Sequence, residues 1–199
     1  MGGPPIDRAL VEQAIADERG ARDRLLEASL PMALAWCMRM GGPKVDPEDA
    51  AHDALMIVWT RIATLNAPDR YTSWLYGIVR RVLAAHRRRA WIRRWAPGVE
   101  TEGIDAGPGP ARTVQRNELA TLVQSVIDKL PPKQREVLVL CELEERTDVE
   151  VAEMLGVPLG TVKSRLRLAR ARFSKGASRL RLDRELPGYV PKEGDDDDA

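Results

Sequence analysis

The segment from Thr147 to Phe173 constrains the fold more than any other part of the chain, because it carries start and stop signals for two short helices. Thr147 is a favourable N-cap, and Glu150 follows three residues later, as a capping box requires. Gly156 can end the first helix in a left-handed conformation. Pro158 suits the entry to a second helix, because its missing N–H would have no partner there. Apolar residues recur at helical spacing at Val151, Met154, Leu155, Val157, Val162 and Leu166. The pattern predicts a helix-turn-helix.

The exposed side of the second predicted helix is rich in hydrogen-bond donors, and most of them are cationic. These side chains are Thr161, Lys163, Ser164, Arg165, Arg167 and Arg170. Donors of this kind contact phosphate oxygens and the acceptor edge of guanine in the major groove of DNA. The alternative is an ordinary helical hairpin whose basic face is only solvated. A second nucleic-acid surface elsewhere in the chain would favour DNA binding.

Opposite charges are segregated along the 199 residues, although the net charge is only +1. Residues 1–60 carry ten acidic and six basic side chains, a net charge of −4. Residues 163–184 carry nine basic side chains and one acidic, a net charge of +8. Because a polyanion responds to the local patch, a near-neutral total does not argue against a nucleic-acid partner.

Cysteine and histidine are too few and too scattered to indicate a metal centre. Cys37, Cys141, His52 and His86 form no pair at ligand spacing, which disfavours both zinc and a disulfide framework. The sequence has no glycine-rich phosphate loop and no paired catalytic carboxylates, so we expect no cofactor and no enzyme activity. It also lacks a run of about 20 apolar residues and a secretory signal. We therefore expect a cytoplasmic protein without membrane contact of its own.

A helix beginning at Asp46 is predicted to present two different faces. Asp46 is a favourable N-cap, Pro47 takes the first helical position, and acidic residues follow where the helix dipole favours them. The buried stripe consists of Leu55, Val58, Trp59 and Ile62. A second, polar face contains Asp49, His52, Asp53 and Met56. This face either docks a partner helix or is simply solvated, and the sequence leaves both alternatives open.

The next predicted helix, capped by Thr72 or Ser73, combines an apolar side with a basic side. The apolar side contains Leu75, Ile78, Val79, Val82 and Leu83. The basic side contains Arg80, Arg81, Arg87, Arg88 and Arg89, with Tyr76, Trp91 and Trp95 between them. Cations among aromatic rings suit a single nucleic-acid strand, because the charges follow the backbone while rings can stack on bases. The alternative is a surface helix whose aromatic residues are half-buried.

These patterns predict an all-α protein made of two small helical domains. The first covers residues 1–95, and the second, which contains the helix-turn-helix, covers residues 113–184. Residues 96–112 are rich in glycine and proline and are predicted to be a flexible linker. Residues 185–199, which include the run Asp195–Asp198, are predicted to be an acidic disordered tail.

Two blocks of this sequence resemble bacterial RNA polymerase sigma factors of the extracytoplasmic-function (ECF) group. The block DPEDAAHDALMIVW at 46–59, followed by SWLYGI at 73–78, is similar to the family's second conserved region. The block LPPKQREV at 130–137, followed by VAEMLGVPLGTVKSRL at 151–166, is similar to its fourth region. The resemblance covers about residues 20–95 and 113–175, in the family's order.

The resemblance implies a promoter-specificity subunit in which different surfaces bind RNA polymerase, the −10 strand and the −35 duplex. Asp49, His52, Asp53 and Met56 would dock on the clamp coiled coil of the largest RNA polymerase subunit. The loop at 65–70, with Leu65 and Asn66, would hold a base flipped from the melted −10 element. The adjoining strand would lie along Tyr76, Arg80, Arg81, Arg87 and Arg88. The donors at 161–170 would contact the −35 duplex, and an anti-sigma factor would be a further partner.

The sequence departs from the family at several positions. His52 stands where the family often has Gln, and Arg81 where it often has Asn. Glu145 and Arg146 replace a frequent Gly-Leu pair before the helix-turn-helix. Two competing hypotheses are a helix-turn-helix regulator with residues 1–95 as its sensor, and an enzyme. The regulator would need no basic, aromatic-lined helix at 74–95, and it would bind a duplex without polymerase.

Overall fold

A computed structural model describes residues 6–95 and 118–180, and every regular element within those two ranges is helical. The chain divides into two compact units, Met1–Arg112 and Thr113–Ala199. The predicted all-α class with two helical domains is therefore confirmed. The predicted linker at 96–112 and the predicted tail at 185–199 both lie outside the described residues.

Within residues 6–95, unit 1 has four helices and two short 3-10 turns. The helices are α1 (Arg8–Ile15), α2 (Ala21–Met40), α3 (Pro47–Arg61) and α4 (Tyr71–Trp95), and the turns are Ile62–Thr64 and Pro68–Arg70. The predicted start of α3 is confirmed, because the Asp46 carboxylate accepts hydrogen bonds from the N–H groups of Glu48 and Asp49, at 2.8 and 3.2 Å. These bonds satisfy two N–H groups that a helix start otherwise leaves without partners.

The start of α4 corrects the sequence prediction. The helix begins at Tyr71, one or two residues before the expected caps Thr72 and Ser73. The Tyr71 side chain is buried, and its hydroxyl lies 2.7 Å from the Ser29 hydroxyl of α2. Burial raises the pKa of Tyr71 to about 12, and the hydrogen bond with Ser29 opposes that rise. A buried tyrosine anchored on α2 therefore fixes the first turn of α4, which local cap signals did not reveal.

The core of unit 1 forms where α4 packs against α2 and α3. All five predicted core residues of α4 are buried, namely Leu75, Ile78, Val79, Val82 and Leu83. Trp36 of α2 and Tyr76 of α4 also belong to this core, and their rings meet edge to face with centroids 5.2 Å apart. This is a favourable geometry for aromatic pairs. Packing on two sides thus buries more of α4 than one apolar stripe would.

The described part of unit 2 has four helices, of which the first three pack against α8. They are α5 (Glu118–Ile127), α6 (Pro132–Leu138), α7 (Asp148–Leu155) and α8 (Leu159–Arg179), with a π-helical segment at Val139–Leu143 after α6. The first predicted helix was expected to start at Thr113, and residues 113–117 lie outside the described part of the chain. The buried side of α8 contains Val162, Leu166, Ala169, Phe173 and Ala177.

Arg135 joins the first two helices of unit 2 from a buried position, with only 5% of its surface exposed. Its guanidinium donates hydrogen bonds to the carbonyl oxygens of Ile127 (3.0 Å), Leu130 (3.2 Å) and Asp128. These carbonyls belong to the end of α5 and the turn after it. The Ile127 carbonyl also accepts from the N–H of Leu130, at 3.0 Å, whereas no continuing helix supplies an N–H to the carbonyls of Asp128 and Leu130. Arg135 therefore acts as a side-chain clamp on the C-terminal end of α5.

Candidate nucleic-acid interface

The turn between α7 and α8 has the geometry that the sequence predicted. The N–H of Glu150 donates to the Thr147 hydroxyl at 3.3 Å, and the Glu150 carboxylate accepts from the N–H of Thr147 at 2.8 Å. The second of these bonds is the main reason why the pKa of Glu150 is lowered. Gly156 has φ +63°, a left-handed conformation that suits glycine. This capping box and this glycine hold α8 at a defined angle to α7.

The donors predicted on α8 occupy different environments. Lys163, Ser164 and Arg167 are exposed, whereas Thr161 and Arg165 are half-buried. The opposite side of the helix carries the buried residues of unit 2, so the exposed donors point away from its core. A helix anchored in this way holds the backbone positions of these donors fixed relative to the core of unit 2.

Arg170 differs from the other donors of α8, because it is already bound within unit 2. Its Nε and Nη2 atoms donate to Oε1 of Glu142, at 2.8 and 2.6 Å. Glu142 lies in the π-helical segment, so the ion pair fastens α8 to the element that follows α6. This corrects the prediction that groups Arg170 with the exposed donors. Glu142 was not singled out from the sequence, since the two residues are 28 positions apart.

The polar face predicted on α3 exists, but its four members are not equivalent. Asp49 and His52 are exposed, and Met56 is an exposed apolar side chain at 48%. Asp53 is half-buried, and its carboxylate lies 2.9 Å from Nε2 of His86 on α4. A second cation of α4, Arg89, approaches the same carboxylate at 4.0 Å. The sequence did not indicate this contact between α3 and α4.

The basic side of α4 is largely open to solvent. Arg81, Arg88 and Arg89 are exposed, whereas Arg80 and Arg87 are half-buried. Arg87 donates through Nη1 to the carbonyl oxygen of Met40, the last residue of α2, at 3.0 Å. Trp91 is 61% exposed, so much of its surface faces solvent. The side chain of Trp95 lies outside the described residues.

Two residues predicted to contact the −10 strand are part of the core instead. Tyr76 is 0% exposed, and its hydroxyl donates to the sulfur of Met40 at 3.4 Å. Leu65 is 8% exposed, while its neighbour Asn66 is exposed. A buried ring cannot stack on a base, so the predicted strand contact by Tyr76 is wrong. In the loop at 65–70, Asn66 rather than Leu65 offers a side chain to a ligand.

Comparison with known proteins identifies the family. Residues 25–93 match the model for sigma-70 region 2, and residues 120–173 match the model for sigma-70 region 4. The chain is 30% identical over 148 residues to the ECF RNA polymerase sigma factor SigW of Bacillus subtilis, covering 70% of this chain and 79% of SigW. It is 35% identical over 166 residues to ECF sigma factor SigM of Mycobacterium tuberculosis, covering 83% and 82% of the two chains. The chain belongs to the ECF family of RNA polymerase sigma factors.

This sigma factor is also similar to a solved structure, that of CnrH in complex with the cytosolic domain of CnrY. The two structures superpose with a TM-score of 0.61 at 26% sequence identity, covering 89% of this chain and 98% of CnrH. CnrH of Cupriavidus metallidurans is a further relative, 31% identical over 185 residues, covering 87% of this chain and 95% of that protein. Membership in this family makes the protein a promoter-recognising transcription initiation factor.

The two family matches include both candidate surfaces of the sigma factor. The region 2 match includes α3 and most of α4, and the region 4 match runs from α5 to Phe173 within α8. Residues 6–95 and 118–180 contain no helix long and apolar enough to cross a bilayer. In those same ranges no three His, Cys, Asp or Glu side chains are arranged to hold a metal ion.

Proposed function

We propose that unit 1 of this sigma factor binds the polymerase clamp through α3 and the melted −10 strand through α4, while unit 2 binds the −35 duplex through α8. The observation that carries the proposal is that each unit presents its own exposed basic helix. On α8 the exposed donors are Lys163, Ser164 and Arg167. On α4 they are Arg81, Arg88 and Arg89, next to the exposed ring of Trp91.

The duplex role is assigned to α8 because its donors stand on the second helix of a helix-turn-helix. Such a helix enters the major groove, where its side chains reach base edges and phosphates. Lys163 and Arg167 are one turn apart and both exposed, so they can contact the same groove. Arg170 stabilises the position of α8 through its ion pair with Glu142.

The strand role is assigned to α4 because single strands bind to cations and stacking rings together. Trp91 offers a ring, and the arginines at 81, 88 and 89 offer charges along the same helix. Stacking on an aromatic ring contributes about 1–3 kcal/mol per base and does not depend strongly on sequence. Asn66 extends this surface into the loop before α4.

The docking role is assigned to the polar face of α3, where two polar side chains and one apolar side chain are exposed together. Asp49 and His52 offer polar contacts, and Met56 offers a flexible apolar contact that adapts to a partner helix. The partner is the clamp coiled coil of RNA polymerase, in the cytoplasm. We further propose that an anti-sigma factor sequesters the protein, since the structure of the related CnrH is that of a complex with a second protein, the cytosolic domain of CnrY.

Two double variants test this division. A promoter is first identified by run-off transcription on a genomic library. Lys163→Ala with Arg167→Ala should weaken binding to the duplex of that promoter. It should also reduce the slope of log affinity against log salt by about 0.9 for each phosphate that the variant no longer neutralises. Affinity for the polymerase core should not change. Lys133→Ala, at an exposed lysine of α6, is the matched control and should change neither.

The second double variant, Asp49→Ala with His52→Ala, should weaken binding to the polymerase core and leave duplex binding intact. Glu27→Ala removes an exposed carboxylate from α2 and is its control. Unchanged core affinity in the double variant would remove the docking role from α3. Tight, promoter-specific duplex binding by the protein alone, together with no effect on polymerase, would favour the competing regulator hypothesis.

A further inference from the structure

A groove in unit 2 lies apart from the surfaces proposed above. It runs between the end of α5 and the C-terminal half of α8, and its volume is about 340 Å³. Its floor is apolar and is formed by Val126, Leu130 and Pro131, of which the first two are buried. Four cationic side chains surround this floor. They are Lys129, Arg172, Lys175 and Arg179. We call this feature the basic groove.

The cations of the basic groove have no anionic partner within the described residues. All four are exposed, none makes an ion pair there, and no carboxylate lines the groove. Four like charges around one small depression repel one another, and an anionic ligand would remove that repulsion. None of the side chains assigned to −35 DNA lines the groove. Its last members, Lys175 and Arg179, also lie beyond the region 4 match, which ends at residue 173.

We propose that the C-terminal segment of this chain, residues 185–199, binds in the basic groove. This acidic segment carries six acidic side chains and one basic, a net charge of −5, and four of the acids form the run Asp195–Asp198. It also contains the apolar residues Leu186, Tyr189 and Val190, which can cover the apolar floor. The segment therefore matches the groove in both respects, with apolar residues for the floor and carboxylates for the rim.

The position of the segment in the chain favours this contact. Helix α8 ends at Arg179, which itself lines the groove, and Asp195 follows it by sixteen residues. A random coil of that length spans roughly 20–24 Å on average, and a fully extended chain of that length spans at most about 55 Å. A tether this short gives an effective concentration in the millimolar range. Individually weak, exposed ion pairs are then sufficient for docking.

Docking would make the segment an internal competitor of DNA phosphates on α8. This consequence rests on the proposed duplex role of α8, whereas the docking itself does not. Carbodiimide coupling tests the docking without DNA or polymerase, because it joins a carboxylate to a lysine amine only when the two are in contact. Failure of the −35 assignment would therefore leave the coupling result unchanged.

The experiment couples the full-length protein and maps the products by mass spectrometry. Lys129 and Lys175 are the expected targets of Asp195–Asp198, while Lys133 and Lys163 are exposed lysines of the same unit that serve as matched controls. We expect several-fold higher yields at the two groove lysines and a loss of that preference at high salt, where screening shortens the range of the attraction. Mixing isotope-labelled and unlabelled chains separates coupling within one chain from coupling between copies.

A charge-neutralising variant makes the test sharper. Arg172→Gln with Arg179→Gln removes two groove cations, adds no carboxylate and keeps both target lysines. We expect coupling of Asp195–Asp198 to Lys129 and Lys175 to fall to the level of the control lysines. Equal yields at all four lysines, or coupling only between copies, would overturn the proposal. So would coupling mainly at Lys163, which would assign the segment to the DNA-binding face. Protection of Lys129 and Lys175 by added duplex, without coupling to the segment, would assign the groove to DNA instead.

Discussion

Replacing Arg135 by methionine should destabilise unit 2 by about 3 kcal/mol. The guanidinium satisfies three backbone carbonyls at the end of α5, and methionine fills a similar volume but donates nothing. A hydrogen bond from a charged donor contributes about 1.5–3 kcal/mol, and a buried acceptor left unsatisfied costs about 1–3 kcal/mol. The Ile127 carbonyl keeps its bond from the N–H of Leu130, and carbonyls at a helix end can regain some hydration. About 1 kcal/mol for each of the three lost bonds is therefore the appropriate figure.

The distribution of tryptophan allows the loss to be assigned to one unit. All five tryptophans of the chain lie in unit 1, so tryptophan fluorescence reports only that unit, while far-UV circular dichroism reports both. Arg135→Met should lower the unfolding temperature of a helical transition by roughly 10–25 °C, given about 4–8 °C per kcal/mol for a domain of this size. The fluorescence transition should not move.

Two further variants distinguish the effect of the Arg135 hydrogen bonds from a general effect of charge. Arg135→Lys keeps the charge but lacks the planar fork that reaches several carbonyls, so it should lose part of the stability. Arg167→Met removes an exposed cation and should change the free energy of unfolding by less than about 0.5 kcal/mol. If the free energy of unfolding of unit 2 in Arg135→Met stayed within about 0.5 kcal/mol of the parent value, the stabilising role of the Arg135 hydrogen bonds would be refuted.

Three more predictions concern single positions. Gly176→Ala places a Cβ 2.6 Å from Cγ1 of Val126 and should destabilise unit 2 by about 1–3 kcal/mol in thermal melts, whereas Gly160→Ala, which meets nothing within 4 Å, should be neutral or stabilising. Glu145→Gly should stabilise unit 2 by about 0.5–1 kcal/mol, because Glu145 has φ +54° and glycine tolerates that conformation. Burial raises the pKa of Cys37 to about 12, so alkylation at pH 8 should be at least about 100-fold slower in the folded protein than in urea.

The turns and caps could be predicted because their causes are local. The Thr147–Glu150 capping box and the left-handed Gly156 each depend on residues at most three positions apart. The same is true of Asp46 at the start of α3. Glu145 is a related case. Glu145 replaces a frequent family glycine and has a positive φ. It follows the π-helical segment, where the N–H of Arg146 donates to the carbonyl of Leu140.

The depth of burial on α4 could not be predicted in the same way. Tyr76 was grouped with the arginines of the basic side of the predicted helix, which suggested an exposed ring. Yet α4 packs against both α2 and α3, so its buried arc is wider than one apolar stripe, and Tyr76 meets Trp36 inside it. Periodicity along one helix reports which residues share a face. It does not report how many neighbouring helices cover that face.

Contacts between residues distant in sequence are the part of the candidate sites that could not be predicted. They also determine which substitutions can test one site without changing the other. Asp53 belongs to the face proposed to dock polymerase, but its carboxylate is bound to His86 of the helix proposed to hold the strand. Removing Asp53 would leave His86 without this partner and would alter both surfaces together. Substitutions at Asp53 and on α4 should therefore be non-additive, as expected for residues in contact. Asp49 and His52 make no ion pair among the described residues, so their replacement tests docking without removing the contact between Asp53 and His86.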